Sequence, residues 1–483
     1  MKLTLLGGGG FRVPLVYRAL MADTLPGRVT EVRLHDTDRL RLRAITQVLA
    51  ELADGAPDAP LVVSTTDLGR ALDGTDFVFS AVRVGGTAAR ATDERICLDH
   101  HIIGQETVGA GGISYALRSI PVALDFVDTV KAHAPDAWVI NFTNPAGVIT
   151  QVMRHGRDGN GLGERVIGIC DSPVGLARRA LGALQLGGLV PDDLGPVGTG
   201  ATGPTGPAGT TAEPRVRLDY LGLNHLGWLR GLHVDGTDVL PLLLERADLL
   251  ETFEEGRLFG TPLLQTLGAI PNEYLHFYYF TREALAADLH AAAPRGAYLQ
   301  EQQGRFYDAV AALGGAPGAH ALWEATRLDR EQTYMASNRE AAGSFERDQA
   351  DLQTGGYDQV ALAIMGAIAN DRPAELVLNV ANRGTIAGLA DDDVIEVPCR
   401  VDGDGVHPLP VDDLWPHARG IVTNAKYVEN TTITAALTRS RRHALLALLH
   451  HPLVASYPLA CQVLDDLVAH HPPLADFAEV PNH

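Results

Sequence analysis

The sequence predicts an α/β protein: an N-terminal Rossmann-like, doubly wound parallel sheet followed by a C-terminal α+β, mainly helical domain. Three observations support this prediction. Short apolar runs and helical patterns alternate over residues 1–190, which is typical of a parallel sheet. The apolar runs end in polar or glycine-rich tails, and ligands of such sheets gather at the carboxyl ends of the strands. Beyond a segment rich in Gly, Pro and Thr, the patterns become mostly helical.

The elements follow one another in a regular order. The first strand covers residues 2–6 and breaks into four glycines, after which a helix is predicted at 13–22. Further strands are predicted at 29–38, 60–66, 76–82, 137–145 and 165–173, with helices at 39–53 and 114–132. The segment 194–214 is predicted to be a flexible surface loop, and a pair of strands follows it. Later helices are predicted at 238–250, 297–313, 322–330, 359–370 and 433–449.

The composition narrows the classes of function. A formal net charge of -20 argues against nucleic acid and against anionic membrane surfaces as partners. The four cysteines show no paired spacing, so we expect no disulfide framework and a reducing compartment. The N-terminus does not read as a signal peptide, and no apolar run is long enough to span a bilayer. We therefore expect a cytoplasmic protein with neither nucleic acid nor membrane as a partner.

The glycine run suggests a dinucleotide site. Gly7, Gly8, Gly9 and Gly10 stand between the first strand and the first helix, where glycines let a pyrophosphate approach the backbone amides. A plain tight turn would give the same run. Asp36 follows the second strand, at the position where an acid binds the ribose hydroxyls of NAD, and this favours NAD over NADP.

Other polar residues at strand ends and in loops are candidates for chemistry. Cys170 and His225 together suit a divalent transition metal, although a buried cysteine and a histidine satisfied by the backbone remain alternatives. Asn141 and Asn144 could hold sugar hydroxyls or cap the next helix. Tyr274 lies in an aromatic cluster, where it could pack or act as a base.

Several arginines could form an anion pocket in this acidic protein, because the guanidinium fork suits phosphate. The alternative for each of them is a surface salt bridge. The candidates are Arg83, Arg90, Arg118 and Arg295.

The order of several motifs resembles the NAD- and metal-dependent family 4 glycoside hydrolases, in particular the 6-phospho-β-glucosidases. These motifs are LLGGGG (5–10), RVGGTAARATDE (83–94), IIGQETVGAGGISYALRSIPV (102–122), NFTNPAGVIT (141–150), VIGICDSP (166–173), LGLNHLGW (221–228), IPNEYLHFYY (270–279), LNVANRGTIAGLADDDVIEVPC (378–399) and LTRSRRHALLALLHHPLV (437–454). They span nearly the whole chain.

The resemblance implies two cofactors. Cys170 and His225 would bind a divalent metal, commonly Mn²⁺. Residues 1–190 would form the NAD-binding domain, and 191–483 the catalytic, substrate and oligomerisation domain of a homodimer or homotetramer. The residues implied to bind NAD are Gly7, Gly8, Gly9, Gly10, Phe11, Asp36, Arg83 and Asn141.

The resemblance also implies a substrate and a reaction. The substrate would be a 6-phospho-β-glucoside, hydrolysed by C3 oxidation with NAD, C2 deprotonation, elimination, water addition and re-reduction. Tyr274 would be the base for the C2 proton, and Asp171 would lie near the sugar as a second catalytic residue. The residues implied to bind the substrate are Arg90, Asn144, Asp171 and Arg295.

Two departures from the family pattern keep alternatives open. Residues 10–13 read GFRV where the family commonly has serine followed by small or aromatic polar residues, and Asp171 stands where β-specific members often carry asparagine. An α-glycosidase of the same family (α-glucosidase, α-galactosidase or α-glucuronidase) is one alternative. An NAD-dependent 2-hydroxy-acid dehydrogenase of lactate or malate type, which would accumulate NADH, is another, and a non-catalytic NAD sensor is a third.

Overall fold

A computed structural model describes residues 1–195, 197, 214–347 and 356–477. The chain packs into two compact units, each built from more than one stretch of sequence. Unit 1 comprises Met1–Val166, Phe280–Ser337 and Thr423–His483, and unit 2 comprises Ile167–Tyr279 and Asn338–Val422. The predicted boundary at residue 190 divides the chain by function and stays a prediction. The predicted loop 194–214 lies mostly outside the described residues.

Strands and helices alternate up to residue 186. The strands are β1 (Lys2–Leu6), β2 (Glu31–His35), β3 (Leu61–Thr65), β4 (Phe77–Ser80), β5 (Trp138–Asn141) and β6 (Val166–Gly168). The helices are α1 (Val13–Ala22), α2 (Arg39–Ala53), α3 (Leu68–Leu72), α4 (Gly86–Asp99), α5 (Gly109–His133), α6 (Ala146–His155) and α7 (Ser172–Leu186), with a 3-10 turn at Gly163–Arg165. In unit 1, strands β1 to β5 form a parallel sheet in the order β3, β2, β1, β4, β5. This arrangement confirms the predicted Rossmann-like sheet.

The middle of the chain is a hairpin followed by short helices. The strands are β7 (Val216–Leu223), β8 (Leu226–Val234), β9 (Thr237–Asp238) and β10 (Ile270–Pro271), with a 3-10 turn at Glu273–Leu275. The helices are α8 (Leu240–Leu244), α9 (Ala247–Leu250), α10 (Glu254–Phe259), α11 (Thr261–Leu267) and α12 (His276–Tyr279). The predicted helix 238–250 is two helices, because Arg246 has a non-helical ψ of 85°.

The remaining chain contains helices and three strands. The helices are α13 (Thr281–His290), α14 (Arg295–Ala312), α15 (Ala319–Gln332), α16 (Ala336–Ala341), α17 (Tyr357–Asn370), α18 (Pro416–Thr438), α19 (Arg441–His450) and α20 (Tyr457–His470), with a 3-10 segment at Pro472–Phe477. The strands are β11 (Ala374–Ala381), β12 (Val394–Asp402) and β13 (Gly405–Pro408). The predicted helix 433–449 is interrupted, because Arg439 has a positive φ of 53° and Ser440 caps α19.

Unit 2 has its own, antiparallel set of strands. The order is β10, β8, β7, β12, β11, β6, with β9 beside β8 and β13 beside β12. Of the strands in this sheet, β6 and the β7–β8 hairpin were predicted.

Distant stretches of sequence complete unit 1. Helix α14 packs against α4 and α2, and α15 packs against α2. The C-terminal helices α19 and α20 pack against α5 and α4, and their apolar side chains join the buried cluster under the sheet. The helices of the described residues are too short or too polar to cross a membrane.

Candidate active site

The glycine turn of unit 1 is held against the end of β2. The backbone amides of Gly7 and Gly8 donate to His35 O at 3.0 and 2.7 Å, and the amide of Gly9 donates to Asp36 Oδ2 at 2.9 Å. A Cβ atom on Gly8 would lie 2.8 Å from the backbone nitrogen of His35, so the turn requires glycine there. The predicted NAD residues of this turn and Asp36 therefore stand together at the carboxyl ends of β1 and β2.

Phe11, directly after the glycines, packs in the core. Phe11 is 6% exposed, and its ring lies 5.3 Å from the ring of Phe306 in an edge-to-face contact. Its carbonyl accepts from Trp323 Nε1 at 2.8 Å. Its side chain is thus part of the core, and its role toward NAD stays a prediction.

The side chain of Asn141 forms hydrogen bonds with the turn and helix that follow it. Its side chain is fully buried, its Nδ2 donates to Thr150 Oγ1 at 3.0 Å, and its Oδ1 accepts from the amide of Thr143 at 3.1 Å. Helix α6 begins without a side-chain cap, so the capping alternative for Asn141 and Asn144 is wrong. The predicted roles of Asn141 toward NAD and of Asn144, which is partly buried, toward sugar hydroxyls stay predictions.

Arginines of unit 1 gather around Glu106, whose side chain is 11% exposed. Glu106 forms ion pairs with Arg83 and Arg90, and Arg90 Nε also donates to Glu94 Oε1 at 2.7 Å. Burial raises the pKa of Glu106, but Arg83 and Arg90 outweigh burial and lower it to about 2. Arg83, Arg90 and Glu106 line a small recess in this unit.

Two further arginines lie beside this cluster. Burial, followed by the charges of Arg12, Arg295 and Arg83, lowers the pKa of Arg330 to about 9, so it stays protonated at neutral pH. Burial and Arg90 lower the pKa of Arg295 to about 10. The arginine cluster is defined as Arg12, Arg83, Arg90, Arg295 and Arg330.

Arg118 forms a buried ion pair with Asp93. It is 3% exposed, and its Nη2 donates to Asp93 Oδ2 at 2.6 Å while its Nη1 donates to Ser114 Oγ at 2.6 Å. These bonds make it one partner of a buried ion pair inside unit 1.

Cys170 lies in unit 2, two residues beyond the end of β6. Its thiol is free and 3% exposed. Burial, and then the nearby carboxylates of Glu396 and Asp171, raise the pKa of the Cys170 thiol well above its usual value. The thiol therefore keeps its proton unless a cation replaces that proton.

His225 lies in the two-residue turn between β7 and β8. It is 5% exposed and has a positive φ of 62°, which is uncommon outside glycine. Its ring stacks on the ring of Tyr274, with centroids 3.7 Å apart and an interplanar angle of 8°. The predicted metal ligand and the predicted base are thus in direct contact.

Hydrogen bonds link the segments that carry these residues. Ser172 Oγ donates to Glu273 Oε1 at 2.7 Å, which ties the start of α7 to the 3-10 turn of Tyr274. The Tyr274 amide donates to Asn272 Oδ1 at 3.1 Å. Asn272 Nδ2 in turn lies 3.4 Å from the phenol oxygen of Tyr220.

The Tyr220 phenol donates a hydrogen bond to Glu396, which is not among the predicted site residues. Glu396 is fully buried and accepts hydrogen bonds from Tyr220, Asn224 and Asn379, at 3.1, 3.3 and 2.9 Å. Burial raises its pKa to about 7 against the lowering effect of these bonds. Its sequence signal was a single acid inside the apolar run VIEVPC. Arg330 had no such signal, because one arginine on a helix is ordinary.

The donors of unit 2 suit a catalytic metal rather than a closed structural one. A thiolate and an imidazole are ligands that divalent transition metals accept, and the carboxylates of Asp171 and Glu396 add negative charge. Among the described residues, no three His, Cys, Asp or Glu side chains are grouped closely enough to hold a metal ion. A metal at Cys170 and His225 would therefore take its other ligands from substrate or water, as catalytic sites do.

The fold is that of an α/β protein with a Rossmann-like N-terminal sheet. Unit 1 carries the glycine turn, and unit 2 carries a buried cysteine and a buried histidine. The family 4 glycosyl hydrolase model matches residues 2–186, and the model of the family 4 glycosyl hydrolase C-terminal domain matches residues 220–454. The chain belongs to the family 4 glycosyl hydrolases.

Relatives of both anomeric specificities match over the full length. A 6-phospho-beta-glucosidase from Escherichia coli is 29% identical, covering 99% of this chain and 97% of the relative. A 6-phospho-alpha-glucosidase from Leptotrichia buccalis is 25% identical, covering 97% of each. The 6-phospho-beta-glucosidase structure from Thermotoga maritima with NAD and glucose-6-phosphate is 26% identical, has a TM-score of 0.74, and covers 97% of this chain and 98% of its own. Another structure of that protein contains manganese, NAD⁺ and glucose-6-phosphate, with a TM-score of 0.71.

Proposed function

We propose that this protein hydrolyses 6-phospho-β-glucosides with the help of NAD and a divalent metal, of which Mn²⁺ is our first choice. The observation that carries the proposal is the contact between His225 and Tyr274, in a network that also reaches Cys170. A base beside a metal-bound sugar is what deprotonation next to a ketone requires. The Thermotoga maritima structure with manganese, NAD⁺ and glucose-6-phosphate supports this cofactor pair for a family member.

The proposed reaction divides between the cofactors and the chain. When bound, NAD accepts and returns a hydride, and the metal acts as a Lewis acid toward the sugar oxygens. Tyr274 is partly exposed, so in this proposal its side chain reaches a bound sugar and, as the phenolate, takes the proton from C2 to become the neutral phenol. Cys170 and His225 would hold the metal, and Asp171 would lie beside it near the sugar. Because the hydride returns to the substrate, the net reaction is hydrolysis and no NADH accumulates.

The arginine cluster supports a phosphorylated substrate. It brings five guanidinium groups together in unit 1, beside the carboxylates of Glu94, Glu106 and Glu331. A dianionic phosphate is the ligand that such an excess of positive charge favours. In this proposal Arg90 and Arg295 bind the phosphate. Arg12 and Arg330 add to the positive electrostatic potential around it.

An α-glycosidase of the same family is the second candidate. The observation that favours it is Asp171, since β-specific members often carry asparagine after the metal cysteine. The α- and β-specific relatives also match this chain with similar identities, 25% and 29%. We give β first place because its relative is the more similar of the two.

The test measures p-nitrophenol release from p-nitrophenyl β-D-glucoside 6-phosphate in the presence of NAD⁺, Mn²⁺ and a thiol reductant. Each component is omitted in turn, and absorbance at 340 nm reports NADH. We expect release that requires both NAD⁺ and metal, without net NADH. Activity on the α-anomer alone would replace the β assignment. Net NADH production without glycoside cleavage would point to a dehydrogenase and contradict the proposal.

A matched pair of arginine variants isolates the phosphate. Arg330→Gln removes one charge of the arginine cluster, whereas Arg305→Gln removes an exposed arginine of α14. We expect Arg330→Gln to raise the KM for the phosphorylated glucoside. The KM for the unphosphorylated glucoside should stay the same. Arg305→Gln should change neither. Equal effects on both substrates would argue against phosphate recognition by the cluster.

The cytoplasmic location and the homodimer or homotetramer remain predictions of the proposed function.

A further inference from the structure

A row of four residues crosses the sheet of unit 2. Gly168 of β6 stands opposite Asn379 of β11, Asn379 opposite Glu396 of β12, and Glu396 opposite Gly222 of β7. Because glycine has no side chain, only Asn379 and Glu396 project side chains from this row. The Glu396 carboxylate therefore occupies the centre of the sheet between the two strands that lead to Cys170 and His225.

Glu396 acts on both of those segments. Its Oε1 accepts from Nδ2 of Asn224, the residue directly before His225, at 3.3 Å. Its charge also reaches the Cys170 thiol. The positive φ of His225, 62°, is a costly conformation for a histidine, so the turn needs side-chain bonds to hold it. The bond from Asn224 to Glu396 is one such bond.

The carboxylate has no cationic partner. Within the described part of the chain, the partners of Glu396 are two amides and a phenol, and it forms no ion pair. A buried carboxylate without a counter-charge is costly even when it is hydrogen-bonded. A divalent cation at Cys170 and His225 would supply that counter-charge.

We infer that Glu396 is a positioning residue of the metal site: it orients the Asn224–His225 turn and supplies the buried negative charge that the cation neutralises. This inference rests on the proposed function, because that proposal places the metal at Cys170 and His225. It assigns Glu396 no direct contact with the substrate. Its consequence is that metal affinity, rather than the stability of the metal-free protein, depends on this side chain.

The experiment titrates metal-free protein with Mn²⁺ and follows free Mn²⁺ by electron paramagnetic resonance, above the pKa of Glu396. Glu396→Gln keeps the shape and removes the charge. Glu375→Gln, on β11 of the same sheet with its side chain 29% exposed, is the matched control. We expect Glu396→Gln to weaken Mn²⁺ binding about 10- to 100-fold, as loss of a residue that supports metal ligands does, and the control to bind as the wild type does.

Thermal unfolding without metal separates this role from a merely structural one. We expect the metal-free midpoint of Glu396→Gln to equal or exceed that of the wild type, because an uncompensated buried charge is gone. A lower metal-free midpoint with unchanged Mn²⁺ affinity would overturn the inference and leave the proposed function standing. Failure of the wild type to bind Mn²⁺ would overturn the metal in the proposed function, and the inference with it.

A second variant keeps the test informative if Glu396→Gln does not fold. Asn224→Ala leaves the carboxylate and removes its bond to the turn. We expect weaker Mn²⁺ binding with the carboxylate intact. Wild-type affinity in Asn224→Ala would contradict the orienting part of the inference.

Discussion

At the scale of single residues, Glu273 shows how burial changes the pKa of a carboxyl group. It is 5% exposed and accepts a hydrogen bond from Ser172 at 2.7 Å. Burial and the nearby carboxylate of Glu255 raise its pKa to about 7. A carboxyl whose pKa is higher in the folded state binds its proton more tightly there than in the unfolded chain. The stabilisation from this tighter proton binding is therefore complete when the pH is below the pKa of Glu273 in the unfolded chain. It is lost as the pH rises through the folded-state pKa of about 7.

The prediction is that Glu273→Gln removes part of this pH dependence. Between the unfolded pKa and about 7, the wild type should lose up to about 3 kcal/mol of stability that the variant keeps. Urea unfolding midpoints on both sides of this range measure the difference. Glu283→Gln, an exposed acid of α13, should follow the wild type. If the stability of Glu273→Gln depended on pH as steeply as that of the wild type, the raised pKa of Glu273 would be contradicted.

The residues of the site were predictable to different degrees. Cys170, His225 and Tyr274 stand out in sequence because each has a chemically reactive side chain inside a recognisable motif. Glu396 and Arg330 did not, because their roles depend on cross-strand and interhelical neighbours that one sequence does not reveal. The stack of Tyr274 on His225 likewise depends on the pairing of β10 with β8.

At the scale of elements, the β1–α1 turn is fixed by close packing. A Cβ atom on Gly8 would meet Leu34 Cβ at 2.7 Å and the backbone nitrogen of His35 at 2.8 Å. Both contacts belong to β2, and the backbone of a central strand cannot move aside cheaply. The predicted NAD site therefore depends on the absence of a side chain at this position.

The prediction is that Gly8→Ala lowers stability by about 1–3 kcal/mol and weakens NAD⁺ binding. Gly304→Ala is the control, because a Cβ atom there meets nothing within 4 Å and the residue lies inside α14. That control should gain about 0.5–1 kcal/mol and bind NAD⁺ normally. Thermal unfolding and calorimetric titration with NAD⁺ provide the two readouts. Unchanged NAD⁺ affinity in Gly8→Ala would remove the turn from the cofactor site.

The elements were predicted well where the alternation was regular. Strands β1 to β6 follow the predicted order, since short apolar runs between helical patterns have few other solutions. Strands β11 and β12 were missed because buried apolar runs such as ELVLNV do not distinguish a strand from a helix. The break at Arg439 was missed because a positive φ at an arginine has no signal in sequence.

At the scale of the whole molecule, positive charge is concentrated locally, and stretches that are distant in sequence pack together. The net charge is -20, yet unit 1 concentrates the arginine cluster. Unit 1 combines three separate stretches of chain. The return of Phe280–Ser337 to unit 1 brings Arg295 and Arg330 beside Arg83 and Arg90. Such returns are set by helix packing between distant residues, which a single sequence does not show.

The last prediction follows from where the two sets of cofactor residues lie. The glycine turn and Asp36 belong to unit 1, and Cys170 and His225 belong to unit 2. A ligand that binds only the folded state stabilises it by about 2.7 kcal/mol at roughly 100 times its Kd, and exchange slows where local opening would release it. Hydrogen exchange should therefore show NAD⁺ protecting amides of residues 2–12 and 31–38, and Mn²⁺ protecting 167–173 and 220–228. Protection by Mn²⁺ that is lost in Cys170→Ser would tie it to the thiol, whereas Mn²⁺ protection confined to unit 1 would contradict the assignment of the metal to Cys170 and His225.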